Sequence, residues 1–449
     1  MLALPRSHTV YPVLAASSGD WPTYMHDNKR NGDNRAESII NRTSSPGLKV
    51  HWTAQSGGWI FSQPIVANGI IYWGSFDGYE HATDGNGHQL WQQYLGVTTQ
   101  CTPVPALGIV SSAAVATISL NGTPTSVVFV GGGDDHLYAL DALSGTILWS
   151  TLLGNPSMNT FIWDSPLVFD NKVYIGIGTT GEGKGCALIP GQFFALDALT
   201  GTILHTYNTV PPGCAGAGIW SSPTFDPSDG SIYLTAGTQG KCSNDTISIG
   251  IVKLRASDLS YKSSWQIPLD QRLTNDADFG ATPTLFTATI EGTLHKLVGA
   301  VDKNGVYYAF ERTSLSSGPV WQRPIAIPGA CPECGQGSIS SSAWDGTRLY
   351  VAGGNTTING VSCKGSVQAL NPADGTVIWQ ACMAGVVMGA VSAVPGVVAV
   401  INGGHVSLLH SATGATLFTY SALFYGSPSI SNGVLYVGSR HNLLYAFGT

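Results

Sequence analysis

Residues 139–149 read ALDALSGTILW, and the chain rewrites that phrase along its length. It returns as ALDALTGTILH at 195–205 and ALNPADGTVIW at 369–379. Looser copies are HATDGNGHQLW at 81–91, LHSATGATLF at 409–418 and a stretched AFERTSLSSGPVW at 309–321. Each copy runs from a small or apolar start through a polar pair and a turn glycine to a terminal aromatic or histidine. That order describes one strand end, a tight turn and a second strand. Repetition of such a unit every roughly 40–60 residues marks a radial or stacked repeat architecture.

Between the copies lie short apolar strands, several opened by a Ser-Pro or Thr-Pro pair. They read DSPLVFDNKVYIGIG at 164–178, SSPTFDPSDGSIYLTAG at 221–237, ATPTLF at 281–286 and GSPSISNGVLYVGSRHNLLYAFGT at 426–449. Equivalent runs start at 62, 111, 341 and 391. Their alternation is β-like and no long helical period competes, which excludes a helical solenoid. The units number about eight, and the last stops three strands in. GLKVHWTA, at 47–54, is a strand with no hairpin partner nearby. Set beside the last unit, it supplies the missing outer strand and leaves no open sheet edge. The expected fold is all-β: an eight-bladed β-propeller of four-stranded blades closed by an N-terminal strand. Residues 1–46 are expected to form a leader and N-terminal extension, and 47–449 a single propeller domain.

Composition bounds the function classes. Only 10% of residues are charged and the net charge is −7, so no basic face recommends nucleic acid. No run of about 18 apolar residues spans a membrane. The first twenty residues, with a short proline-broken apolar run, read as a disordered leader or the remnant of an export signal. Eight cysteines and few lysines favour an oxidised protein that is secreted, periplasmic or cell-surface. CPEC at 331–334 has neither a βαβ context nor a second pair for zinc, and reads as a local disulfide. Cys363 and Cys382 flank one hairpin and form a candidate bridge; Cys186 with Cys214 is another candidate. Spacing alone does not fix the pairing.

The repeat with its alanine start, turn glycine and closing tryptophan resembles the tryptophan-docking motif of pyrroloquinoline quinone (PQQ) quinoprotein dehydrogenases. DWPTYMHDNKRNG at 20–32 is similar to the opening of the polyvinyl-alcohol dehydrogenase-like branch. The cofactor-free assembly scaffold BamB uses a similar propeller, so the repeat does not decide between chemistry and scaffolding. The resemblance implies that each blade tryptophan stacks on the next blade's turn. It also implies a site, residue by residue. Trp220 in GIWSSPTFDP would form the floor under the cofactor ring, and Glu182 in GIGTTGEGKG a calcium ligand. Thr238 stands where the family has an asparagine ligand, with Gln239 beside it. Asp278 in NDADFGATPTLF would be the catalytic base. Asp276 would be a further cation ligand or would raise its neighbour's pKa. Lys303 in DKNGVYYAF would donate to the quinone oxygens. Ser111 and Ser112 replace an expected arginine, and Cys101 stands alone where many members have adjacent cysteines.

Each of these residues also has a purely structural reading: a core tryptophan, a solvated loop glutamate, a turn aspartate, a hairpin lysine. The only C-x-x-C lacks the histidine of a haem-attachment motif, so electrons would pass to a separate acceptor. The implied activity is that of an exported alcohol dehydrogenase moving hydride from an alcohol or polymer to PQQ beside a bound calcium ion. The alternative is a cofactor-free propeller that binds a protein or polymer as a scaffold.

Overall fold

The computed structural model describes residues 19–449 except 103, 182–185, 241, 243–244 and 274–275. The second strand of each repeat is apolar on both faces, because neighbouring blades cover it from both sides. Ile70–Gly74 (IIYWG) and Ser231–Ala236 (SIYLTA) are buried at every position. Outermost strands such as Gln89–Tyr94 and Thr416–Ser421 are largely exposed and carry polar residues. This gradient from a dry centre to a wet rim is what radial packing requires.

Eight antiparallel blade sheets result, seven of four strands and the third with a fifth short strand, Thr160–Phe161. A separate two-stranded hairpin, Thr356–Ile358 with Val361–Cys363, is inserted in the sixth, and in all blades but the eighth the four strands run outward in sequence order. The fourth, for example, is Thr224–Asp226, Ser231–Ala236, Gly250–Arg255 and Tyr261–Gln266. The eighth takes three strands from the C-terminal end, Ser429–Ser431, Val434–Gly438 and Leu443–Gly448, and its outer strand from Lys49–Gln55. Lys49 pairs with Gly448 and Gln55 with Leu443, so the lone N-terminal strand closes the ring.

Tryptophans join adjacent blades as the repeat implies. The indole N–H of Trp91 donates to the Ala142 carbonyl of the next blade at 3.0 Å, and Trp149 donates to Ala198 at 3.0 Å. Trp321 and Trp379 reach Pro372 and Ser411 at 2.9 and 2.8 Å, and Trp52 on the closing strand reaches Gly85 at 2.9 Å. The turn glycine is required here: Gly145 has φ +70°, and a Cβ there would lie 2.6 Å from the Trp91 ring. Gly145→Ala should lower the urea midpoint by the equivalent of about 1–3 kcal/mol, through left-handed strain plus a displaced indole. An unchanged midpoint would show that the indole does not bear on the turn. Where the copy ends in His205, Tyr174 of the same blade donates to the equivalent Ala256 carbonyl at 3.0 Å. At the other degenerate copy, Phe418 meets Phe447 edge-on.

Residues 19–46 cross one face of the ring and touch blade after blade. Trp21 bridges to Val66, Val115 N–H donates to Pro22, and Asn28 bonds both Val168 and Phe225. Trp344 N–H donates to Asn31, Ala393 exchanges bonds with Gly32 and Asn34, and Asn34 reaches Ile430. At the centre of this segment Arg30 is completely buried. Its guanidinium donates to the carbonyls of Pro166 (2.9 Å), Pro223 (3.0 Å) and Tyr24, and to the Thr23 hydroxyl.

All eight cysteines are paired: Cys101–Cys186, Cys214–Cys242, Cys331–Cys334 and Cys363–Cys382. The Cys331–Cys334 and Cys363–Cys382 bridges are those expected. The expected Cys186–Cys214 pair is not formed. Its two cysteines find partners on other loops of the same face, because a ring brings distant connections together irrespective of their sequence separation. Among the described residues no helix is long and apolar enough to cross a membrane.

Candidate active site

The connections that run from an outer strand back to the next innermost strand gather around the central channel, on the face opposite residues 19–46. Asp278 lies on the connection between Tyr261–Gln266 and Thr284–Ile290. Lys303 sits in the turn between Thr293–Val301 and Val306–Glu311, and its N–H donates to the Asp278 carbonyl at 3.1 Å. That backbone bond fixes the two side chains against each other.

Lys303 Nζ donates to Asp278 Oδ2 at 2.6 Å and to Asp276 Oδ1 at 2.7 Å. The other Asp278 oxygen accepts the Thr238 N–H at 2.6 Å and the Thr238 hydroxyl at 3.0 Å. Asp278 and Lys303 are buried, whereas the Asp276 side chain is 38% exposed. The two carboxyl groups consequently differ. Burial works against ionisation of Asp278, but the Lys303 charge and the donors around it hold its pKa below the usual carboxylate range. Asp276 is pushed up to about 7 by burial, by its hydrogen bond with Asp278 and by that neighbour's charge. Burial opposes protonation of Lys303, yet the two carboxylates raise its pKa above the ordinary value. Asp276 therefore lowers rather than raises the pKa of Asp278. One carboxylate is locked in its charged form and the other is poised near neutrality.

Trp220 forms a flat wall beside this cluster, with Lys303 Nζ 5.8 Å from its ring. The indole approaches so closely that a Cβ on Gly280 would lie 2.1 Å from it, so glycine is the residue that fits. Trp220, Asp276, Asp278 and Thr238 share a cavity of about 510 Å³ with Trp163, Thr180 and the Cys101–Cys186 disulfide. A second cavity of about 560 Å³ adjoins it across Trp163 and Trp220 and follows the channel axis. Arg440 and Glu333 also line this second cavity, and both are exposed.

The structure thus brings together Trp220, Thr238, Asp276, Asp278 and Lys303. Ser112 lines the neighbouring channel, whereas Ser111 is turned into its blade, where its hydroxyl accepts the Gly131 N–H. Glu182 lies outside the described residues. Gln239 is engaged elsewhere, its Oε1 accepting from Arg272 at 2.9 Å. Sequence reasoning passed over Trp163, Glu333 and Arg440. Glu333 lies in CPEC, a loop closed by its own disulfide, where it is exposed while its neighbour Pro332 is buried.

The family model described as outer membrane protein assembly factor BamB, a PQQ-repeat model, matches residues 111–352 and 363–449. The chain belongs to this PQQ-repeat propeller family. Among characterised relatives, the propeller is 26% identical over 371 residues to a polyvinylalcohol dehydrogenase of Pseudomonas sp., covering 74% of this chain and 55% of that protein. It is 24% identical to the polyvinylalcohol dehydrogenase of Sphingopyxis sp. (strain 113P3), covering 96% and 74% respectively. The chain therefore spans about half the length of the first relative. Among solved structures, the quinohemoprotein alcohol dehydrogenase of Comamonas testosteroni superposes with a TM-score of 0.76 at 20% identity, covering 97% of this chain and 81% of that one. At that identity the likeness is one of fold.

Proposed function

We propose that this propeller is the catalytic core of an exported, PQQ-dependent alcohol dehydrogenase that works with a bound calcium ion and a separate electron acceptor. The observation that carries the reading is the cluster of buried Asp278 and Lys303 with the half-exposed Asp276 against Trp220, beside a cavity at the channel mouth. The donor set fits the groups implied. Asp276, Asp278 and Thr238 offer the hard oxygens that calcium takes, and Trp220 offers a planar wall. When bound, PQQ supplies a hydride acceptor and the cation a Lewis acid.

The residues of the chain do the rest. Asp278 accepts the hydroxyl proton of the alcohol, for which Lys303 and the Thr238 N–H keep it ionised. Lys303, protonated and buried, presents a fixed positive charge to developing negative charge without having to reorganise. Trp220 and the disulfide on the cavity wall restrict how a ring can lie there. Export is supported by the four disulfides, which an oxidising compartment maintains.

One observation favours the scaffold reading as a second possibility. Lys303 already spans both carboxylates, so a calcium ion would share them with an ammonium. Reconstitution with PQQ and calcium decides between the two. Retention of the cofactor's absorbance and alcohol-dependent reduction of an artificial dye support the enzyme, while no PQQ retained at micromolar concentrations leaves the scaffold. Protons compete with a cation for Asp276, whose ionised form prevails above about pH 7. Calcium affinity measured by titration calorimetry should accordingly rise between pH 6 and pH 8. A flat profile would remove Asp276 from the ligand set.

A further inference from the structure

A loop at the channel mouth carries a disulfide whose part in holding the fold is slight. Cys331 and Cys334 are 3 residues apart, whereas the other bridges join cysteines 85, 28 and 19 residues apart. A cross-link stabilises a fold largely through the length of chain it closes, so this one contributes least. The loop is also fastened without it. Ile327 N–H donates to the Asn355 carbonyl at 2.8 Å, Asn355 N–H to the Gly335 carbonyl at 2.6 Å and Gly354 N–H to the Gly337 carbonyl at 3.1 Å. Gly329 N–H donates to the Lys303 carbonyl at 3.1 Å, and the buried Pro332 anchors the tip. Within the tip, the N–H groups of Cys334 and Gln336 both donate to the Cys331 carbonyl, at 3.0 and 3.1 Å.

What distinguishes this bridge is access. Cys334 is exposed and Cys331 half-buried. Cys101–Cys186 and Cys214–Cys242 are half-buried at both ends, and the exposed Cys382 is bonded to Cys363, which is 2% exposed. Exchange with an external thiol requires a sulfur that a thiolate can approach, and exposed bridges are the labile ones.

The two cysteines flank Glu333. That residue lines the cavity beside Trp220, the axial cavity and a third cavity of about 370 Å³ beside Met388 and Tyr425. The bridge therefore closes a ring around a carboxylate common to all three.

We propose that Cys331–Cys334 is a thiol–disulfide exchange site for an external dithiol, opened and re-formed while the propeller stays folded. A thiolate of the dithiol attacks Cys334 Sγ, forming a mixed disulfide and releasing the Cys331 thiolate, which takes up a proton. The second thiol of the dithiol then attacks the mixed disulfide at the dithiol's own sulfur. The donor leaves as its disulfide and Cys334 as a thiol, so two electrons and two protons have passed to the protein. Glu333 is then no longer held in a closed ring. The site stands apart from the Asp–Lys cluster and holds whether or not that cluster is catalytic.

The test is graded reduction of the purified protein with dithiothreitol, followed by alkylation and peptide mass spectrometry. Cys331 and Cys334 should be alkylated at a dithiothreitol concentration about tenfold below that needed for any other pair, with the circular dichroism spectrum unchanged. Reduction by thioredoxin at the same thiol concentration identifies a protein dithiol as the donor, and reduction by dithiothreitol alone a small one. In Cys331→Ser, Cys334 should take up glutathione from its disulfide. In Cys334→Ser, the half-buried Cys331 should do so about tenfold more slowly. Cys331→Ser/Cys334→Ser should melt within about 2 °C of wild type, because so short a loop restrains the unfolded chain little. If a variant fails to fold, the order of reduction in the wild-type protein decides. Reduction of this pair no sooner than the others, reduction only with loss of the folded spectrum, or equal glutathione uptake by the two single variants would overturn the assignment.

Discussion

Asp278→Asn in the PQQ- and calcium-loaded protein should lower kcat by about a hundredfold to ten-thousandfold, the range for loss of a positioned general base. The substitution keeps the shape of the side chain and an oxygen for the Thr238 N–H, now at 2.6 Å from Asp278 Oδ1. It removes the charge that Lys303 pairs with, leaving the ammonium only Asp276. The proton of the substrate then has no buried acceptor. A folded variant, verified by an unchanged circular dichroism spectrum, that retained more than a tenth of wild-type turnover would take Asp278 out of the base role. Measuring retention of PQQ in the same variant separates this failure from loss of the cofactor.

Arg30→Met should cost about 3–5 kcal/mol, read as a lower urea midpoint and melting temperature. Methionine fills part of the space but donates nothing, so the buried carbonyls of Tyr24, Pro166 and Pro223 lose their partners together. These carbonyls belong to three different parts of the chain: the segment that crosses the ring and the inner edges of the third and fourth blades. The guanidinium is the point at which they are tied. A variant melting within about 2 °C of wild type would mean that water replaces it at little cost.

Much of the ring was legible because its determinants are local and periodic. Ala-Leu-Asp-x-x-Ser/Thr-Gly followed by Trp specifies a turn and an indole, and Trp91, Trp149, Trp321 and Trp379 dock as that pattern implies. The unpaired strand at 47–54 announced its partner by elimination, since the last repeat lacked an outer strand. Cysteine pairing was legible only where both partners share a hairpin or a tight loop, as in Cys363–Cys382 and Cys331–Cys334. Cys186 meets Cys101 instead of Cys214 because both ride on loops over the channel mouth, and no sequence periodicity records that approach. The resemblance nominated Trp220, Asp278 and Lys303 one at a time. Their mutual distances, and the opposite pKa displacements of Asp276 and Asp278, arise only from the fold.

The blade assembled from Lys49–Gln55 and Ser429–Gly448 cannot exist until nearly the whole ring has been made. Until then Trp52 has no blade behind it, although the turn it will grip, at Gly85, is already available. A growing or partly unfolded chain consequently carries two raw strand edges and an unhoused indole at once. Closure is then a single long-range event with a slow approach and a large reward, the regime in which edge-to-edge pairing between molecules competes with pairing within one.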